Sequence, residues 1–419
     1  MFEEQFREAA RLGDIEQLTG LLKRNDVDIN EYGPDGYNAF LLATYFGEIE
    51  IIEELLKDKR IHVNSVNPGG YSALFIACQR GYMEIVNVLL KDNRIGINEG
   101  PDGTSSFFVS CSMKRIEIVK RLLKHPNIDV NQKDSQGLTA FSLVCILGHY
   151  ELVVLLLNDP RVDVNLSANN GMTPFFFACQ EGKEKVVKLL MKNPKVDIKK
   201  GTLEDEFPIF IACFQGYPEI VRLLLNEPSI DINPKKKDQS TPFYAACQNG
   251  HVDVIKLFVL SNRGVDINYP MDSNDTPLWI ACYHNFIDLV QWILASKYDI
   301  DTKTKFNKMV FIDSAKDIPA LSGYVHVLEM SDSDYLSPFD IAKMRDYTEI
   351  CDLLQSYEAN PKETRLMLRK KIHYSGLFFV FCFFFLFSFF FFLFSFFFFL
   401  FSFFSFSLFL FVKLLKTNK

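Results

Sequence analysis

The sequence predicts an all-α solenoid of about nine to ten helix-turn-helix units, followed by a C-terminal hydrophobic helix. The first observation is a motif that returns every 33 to 35 residues, a period typical of stacked repeat arrays. The second is an apolar stripe with helical spacing after each copy. The third is an apolar run of 36 residues near the C-terminus. The repeated position is occupied by Ala10, Thr44, Cys78, Cys111, Cys145, Cys179, Cys213, Cys247 and Cys282.

A single unit from the middle of the array shows why each element forms. Thr173 is a good N-cap, and Pro174 suits the first helical position because it lacks the N–H that would be unpaired there. Gly182 ends this first helix, since glycine readily takes the left-handed conformation. The second helix ends at Asn193 and Pro194, because proline cannot continue a helix. Its apolar stripe consists of Val186, Val187, Leu189 and Leu190.

Other columns follow the same register. A pair such as Thr241-Pro242 begins a unit, and a step such as Asp129-Val130-Asn131 closes it. Together these columns resemble the ankyrin repeat, whose pattern joins T-P-L-H-x-A, G-H, a leucine-rich helix and a D-V-N loop. The resemblance covers roughly residues 2–301 and a partial unit at 337–356. It implies stacked helix pairs that bind partner proteins through first helices and loop tips on a concave face.

Two departures from the pattern carry structural expectations. Lys114 stands where most units place the glycine between the two helices, and lysine takes the left-handed conformation less readily. We therefore expect its unit to be the least regular of the middle repeats. Phe207 precedes Pro208 in place of threonine, which removes an N-cap hydroxyl from that unit.

The register also divides the chain into segments. A solenoid needs end units with a polar outer face, and charged first helices mark both ends of this array. The segments are an N-terminal capping repeat at 1–31, tandem repeats at 32–301, a degenerate repeat or inserted loop at 302–336, a C-terminal capping repeat at 337–358, a basic linker at 359–376, a transmembrane or low-complexity Phe-rich segment at 377–412 and a basic tail at 413–419.

The run at 377–412 has two interpretations. It is longer than the ~20 residues that a membrane-spanning helix needs, and basic residues flank it, which is typical of an anchor. Alternatively, its Phe, Ser and Leu can all be encoded by pyrimidine-only codons, so the run is a gene-model artefact. The anchor predicts a membrane-associated protein with its repeats in the cytosol. The artefact predicts a cytoplasmic protein.

Composition and motifs argue against catalysis and nucleic-acid binding. The formal net charge is −7, whereas nucleic-acid binders carry a basic face. Nucleotide-binding, zinc-protease and serine-hydrolase motifs do not occur in the sequence. We expect no catalytic residue, cofactor, metal site or small-molecule substrate. The cysteine column is expected to be buried packing, because units about 8–10 Å apart hold these residues too far apart for a disulfide.

Protein binding is the function that remains. In the family that the sequence resembles, residues after the Ala-Cys pair and at the loop tips contact partners. Here the tips lie near Asp35, Asp102, Asp134 and Asp238. The candidate protein-binding residues are Tyr45, Gln79, Arg80, Gln180, Glu181, Phe214, Gln215, Gln248, Tyr283 and His284.

Two functional hypotheses follow. The first is a protein-interaction scaffold for unidentified protein partners, tethered to a membrane by residues 377–412. The alternative is a soluble regulatory module that binds or inhibits a partner protein.

Overall fold

The computed structural model describes residues 2–304, 306–307 and 335–372. The predicted hydrophobic segment at 377–412, the basic tail at 413–419 and most of the segment at 302–336 lie outside these residues. Contacts divide the chain into two compact units, Met1–Pro277 and Leu278–Lys419.

The first unit confirms the predicted all-α repeat architecture, since pairs of short helices recur along it. The first helices of the pairs are α1 (Phe2–Leu12), α3 (Ala39–Phe46), α5 (Ala73–Arg80), α7 (Ser106–Ser112), α9 (Ala140–Leu147), α11 (Pro174–Gln180), α13 (Pro208–Gln215) and α15 (Pro242–Gln248). The second helices are α2 (Ile15–Leu22), α4 (Ile49–Lys57), α6 (Met83–Leu89), α8 (Ile116–Leu123), α10 (Tyr150–Leu157), α12 (Glu184–Met191), α14 (Pro218–Leu225) and α16 (Val252–Leu260). A 3-10 turn, Pro101–Gly103, precedes α7.

Side-chain caps begin most of the first helices, as the sequence predicts. The hydroxyl of Thr173 accepts a hydrogen bond from the backbone N–H of Phe176 at 3.1 Å. Such a cap stabilises a helix by about 1 kcal/mol. Phe207 supplies no capping hydrogen bond to α13. Of the two start signals, this helix therefore has only the proline, Pro208, at its first position. The other first helices of this unit that are capped by a side chain are α3 by Asn38, α5 by Ser72, α7 by Ser105, α9 by Thr139 and α15 by Thr241.

The turn between paired helices bears on one expectation. Lys114 adopts φ 54°, close to the 65° of Gly182 at the equivalent position. Its N–H donates to Cys111 O at 3.2 Å, and the next N–H, of Arg115, donates to Ser110 O at 2.8 Å. The same two bonds close the turn at Gly182. Lys114 therefore leaves this turn regular, because the repeat's hydrogen bonds hold even lysine in the left-handed conformation.

The core of the first unit runs continuously from repeat to repeat. Each first helix packs against the first helices before and after it, and most neighbouring second helices pack in the same way. Large side chains such as Phe40, Phe141, Phe175 and Phe243 are fully buried between them. Burying each one stabilises the fold by about 1.5–3 kcal/mol, which no isolated helix pair could gain.

A ladder of asparagines links successive repeats. Asn131 donates from its side-chain amide to Arg161 O at 2.7 Å and accepts from the N–H of Asp163 at 2.8 Å. The acceptor and donor lie 30 and 32 residues further along the chain, in the next unit. The same double bond is made by Asn30, Asn64, Asn98, Asn165 and Asn233.

The second unit is built from five helices and a short strand pair in its described residues. They are α17 (Pro277–Tyr283), α18 (Ile287–Leu294), α19 (Pro338–Met344), α20 (Thr348–Ala359), a helix over residues 361–372, named α21 here, and the strands β1 (Phe306–Asn307) and β2 (Tyr335–Leu336). The two strands pair antiparallel, with Phe306 opposite Leu336. Whether residues 302–336 form a degenerate repeat or a loop concerns mainly 308–334, outside the described residues.

The segment predicted as a basic linker, 359–376, is a packed helix over most of its length. Leu368 on α21 is fully buried. Arg369 donates to Ala295 O at 2.8 Å and to Ser296 O at 3.0 Å, just after α18 ends. Arginine at a helix C-terminus binds free carbonyls and favours the helix dipole. Arg369, one of the basic residues on which the linker prediction rested, therefore anchors α21 within its unit.

None of the helices described over residues 2–304 and 335–372 is long and apolar enough to cross a membrane. The predicted membrane segment at 377–412 lies outside these ranges. Its assignment as an anchor stays a prediction.

Candidate partner-binding surface

The candidate surface lies at the C-terminal ends of the first helices. In each repeat from Thr44 to Cys247, two residues follow the buried threonine or cysteine. None of these residues is buried. Because consecutive first helices pack side by side, these positions form one continuous band. We call it the first-helix strip: Tyr45, Phe46, Gln79, Arg80, Ser112, Met113, Ile146, Leu147, Gln180, Glu181, Phe214, Gln215, Gln248 and Asn249.

The structure brings eight of the ten predicted binding residues onto this strip. Gln79 and Gln180 are half-buried, and the other six are exposed. The side-chain oxygen Oε1 of Gln180 is buried without a hydrogen-bond partner in the described part of the chain.

Tyr45 and Arg80 are brought into direct contact by the stacking of two repeats. The guanidinium carbon of Arg80 lies 3.7 Å from the centre of the Tyr45 ring. Tyr37 and Phe46 pack edge-on against the same ring, at centroid distances of 5.8 and 5.3 Å. A cation over an aromatic face is stabilised by about 0.5–1 kcal/mol at an exposed site. These contacts hold Tyr45 and Arg80 in fixed positions before any partner arrives.

Phe214 forms a second aromatic contact on the strip. Its ring stacks on Phe210 at 6.5 Å, and Nζ of Lys236 lies 5.1 Å from the Phe210 ring. Lys236 also pairs with Glu206 at 2.8 Å. The outer face of Phe214 stays exposed.

Tyr283 and His284 belong to the second unit and differ from the other predicted residues. Tyr283 is only 4% exposed, because it stacks on Trp279 at 5.4 Å and lies under the guanidinium of Arg345 at 4.6 Å. Its ring is therefore covered by its own unit, contrary to the role that we predicted for it. His284 is half-buried, and burial lowers its pKa, with a smaller contribution from Arg345.

Three exposed apolar residues on the strip escaped the sequence prediction. Phe46, Met113 and Leu147 have exposed fractions of 46%, 47% and 40%. They occupy the same column as Arg80 and Glu181, one residue beyond the first position after the cysteine. Reading every unit in that column, including those with apolar residues, would have found them.

The loop-tip aspartates shape turns in the chain itself. Asp35 accepts from the N–H of Tyr37 at 3.1 Å, and Asp134 accepts from the N–H of Leu138 at 2.8 Å. Asp238 accepts from Ser240 in the same way, and Asp102 lies in the 3-10 turn with φ 51°. Local turn formation therefore accounts for aspartate at these tips.

The cysteine column confirms its predicted burial. Cys78, Cys179 and their equivalents are fully buried, and their thiols are free. Burial raises the pKa of Cys78 to about 12, because the thiolate would lose its hydration. Thiolates are the reactive form of cysteine, so these thiols are inert at neutral pH.

The comparisons with known proteins agree with the repeat architecture. A family model described as "Ankyrin repeats (3 copies)" matches residues 6–101, 106–202, 144–236 and 209–304. Together these ranges cover more than half of the chain. No curated protein matches the sequence.

Proposed function

This chain belongs to the ankyrin-repeat family, and we propose that it is an interaction module that binds a partner protein along the first-helix strip. Proteins of this family are generally non-enzymatic interaction modules. The observation that carries the proposal is the exposure of Phe46, Met113 and Leu147 in one column of the repeats, with Met113 and Leu147 in adjacent repeats. Aligned apolar exposure on a soluble scaffold is typical of a protein-binding surface.

The chemistry of the strip supports a protein partner. Aromatic residues, methionine and arginine are enriched where proteins bind each other, and the strip offers all three. Arg80 restrains the Tyr45 side chain before binding, so less side-chain entropy is lost when a partner binds.

The test compares a strip variant with a matched control in the full-length chain. Met113→Ser with Leu147→Ser removes two exposed apolar side chains from the strip, whereas Leu260→Ser removes one from the end of a second helix. We expect the wild type and Leu260→Ser to capture the same protein from a lysate. The strip variant should bind that protein at least about tenfold more weakly, the effect of losing ~1.4 kcal/mol. Thermal melting by circular dichroism confirms that each variant is folded.

Two results would contradict the proposal. One is equal capture by all three proteins. The other is loss of capture in Leu260→Ser alone, which would place the binding surface on the second helices.

Membrane tethering is a separate hypothesis about residues 377–412. A tethered scaffold predicts that full-length protein sediments with membranes and that deletion of 377–419 releases it. A regulatory module without an anchor predicts the same supernatant fraction for both forms. Peptides from 377–412 in a mass spectrum of the membrane fraction would exclude the gene-model artefact.

A further inference from the structure

Arg80 ends α5, and Lys114 and Arg115 form the turn after α7, the first helix that packs next to α5. Arg80, Lys114 and Arg115 are all exposed. Nη2 of Arg115 donates to Gln79 O at 3.1 Å, and its guanidinium lies against Gly81. The side chain of Arg115 thus reaches back across the residues that flank Arg80. We call these three residues the basic corner.

The basic corner has no carboxylate of its own in the part of the chain that the structure describes. No ion pair within 4.0 Å involves any of its members there. The nearest acidic residue in sequence, Glu117, is already bound by Lys120 at 2.7 Å. Arg60, Arg94 and Arg161, by contrast, are each paired with an aspartate. The chain has a net charge of −7, so these unpaired cations make the local charge at the corner opposite in sign to that of the whole chain.

The backbone at the corner gives a second reason to look for a function. Lys114 occupies the left-handed conformation at φ 54°, where neighbouring units have Gly81 and Gly148. A side chain in this conformation costs of order 1 kcal/mol relative to glycine. Strained backbone of this kind clusters at binding and catalytic sites. The position therefore presents an exposed ammonium group at an energetic cost to the fold.

We infer that the basic corner binds an acidic segment of the partner protein, with carboxylates against Arg80 and Lys114 and an apolar side chain against Met113. Arg80 is held by the Tyr45 ring, which leaves its N–H groups free to reach a carboxylate. Met113 is adjacent to Lys114 and is exposed, so charge and apolar contact fall within one short segment. This inference rests on the proposed function and specifies the chemistry of the partner.

The test uses random peptides displayed on phage and selected on the full-length chain. The same selection is made on Arg80→Gln with Lys114→Gly, which removes two charges and returns glycine to the turn. Lys185→Gln with Lys188→Gln is the control, because these lysines are also exposed and unpaired but lie on second helix α12. Enriched peptides are then synthesised and titrated by fluorescence anisotropy at low and at physiological salt.

The expected result is enrichment of peptides rich in Asp and Glu that also carry an apolar residue. Their affinity should fall about tenfold in the corner variant, stay unchanged in the control and weaken with salt. Enriched peptides without negative charge, or unchanged affinity in the corner variant, would overturn the inference and leave the proposed function standing. The inference would also be overturned if single-stranded RNA or phosphatidylserine vesicles bound to the basic corner more tightly than the enriched peptides do. If no peptide is enriched on any form, the inference fails, and capture from the lysate decides the proposed function separately.

Discussion

Asn131 and Arg161 join two successive repeats through a side-chain hydrogen bond of 2.7 Å to the Arg161 carbonyl. The same asparagine accepts from the N–H of Asp163, so one side chain satisfies two backbone groups of the next unit. The guanidinium of Arg161 then reaches back to Leu123 O, at the end of α8, at 2.7 Å. Loops of adjacent repeats are therefore tied together in both directions along the chain.

Replacing Asn131 by alanine should destabilise the first unit by about 1–3 kcal/mol, because two backbone groups lose their partners. Urea unfolding followed by far-ultraviolet circular dichroism measures the change. Asn262→Ala is the control, since Asn262 is exposed and its side chain makes no hydrogen bond in the described part of the chain. Equal effects of the two substitutions would show that the ladder adds nothing to stability.

Lys114→Gly should stabilise the chain by about 0.5–1 kcal/mol, because glycine takes φ 54° without the steric cost that lysine bears. The opposite change, Gly148→Ala, should destabilise it. There φ is 72°, and a new Cβ would lie 2.9 Å from the side chain of Lys183. Thermal melting of both variants measures the shifts. A lower melting temperature for Lys114→Gly would mean that Lys114 makes a stabilising contact.

Cys179→Ala should cost about 1 kcal/mol or less, since the deleted volume is small and alanine suits this column. Cys179→Leu should cost more, because the fully buried site has no room for two additional methyl groups. The two variants are compared by urea unfolding and by partner capture. Loss of partner capture by a folded Cys179→Ala protein would assign the thiol a binding role that burial does not predict.

Asp159 and Asp275 should give opposite pH dependences of stability. The hydrogen bond from Arg161 lowers the pKa of Asp159, so its stabilisation is present above the unfolded pKa of about 3.9 and is lost as pH falls through the lower folded pKa. Burial raises the pKa of Asp275, although Ser273 and Tyr244 donate to its carboxylate. Ionisation of Asp275 therefore disfavours folding as pH rises above about 4.

Urea unfolding between acidic and neutral pH tests both residues. Asp159→Asn should lose stability at neutral pH and little at acidic pH. Asp275→Asn should become more stable, relative to the wild type, as pH rises. Parallel curves for the two variants would contradict the assigned causes.

The sequence determined the repeat, the helix pairs and the burial of the cysteine column. A period of 34 residues, Thr-Pro starts and apolar stripes are local signals, so helix positions such as Pro174–Gln180 follow from them directly. It also grouped Tyr45, Arg80 and Phe214, which all lie on the first-helix strip. Equivalent positions in stacked repeats lie on the same face of the solenoid, so the repeat register alone predicts which residues form the strip.

Tertiary structure decided which residues are in contact between successive repeats and within the second compact unit. The asparagine ladder joins residues about 30 apart, and helical or turn periodicity carries no signal for such contacts. The burial of Tyr283 depends on Arg345, and the packing of 361–372 depends on carbonyls near residue 295. Lys114 adopts the left-handed conformation that glycine has in other repeats, because contacts with the stacked repeats outweigh the preference of lysine for negative φ. Local propensity determined the elements of this protein, and contacts distant in sequence determined which of their side chains remain exposed.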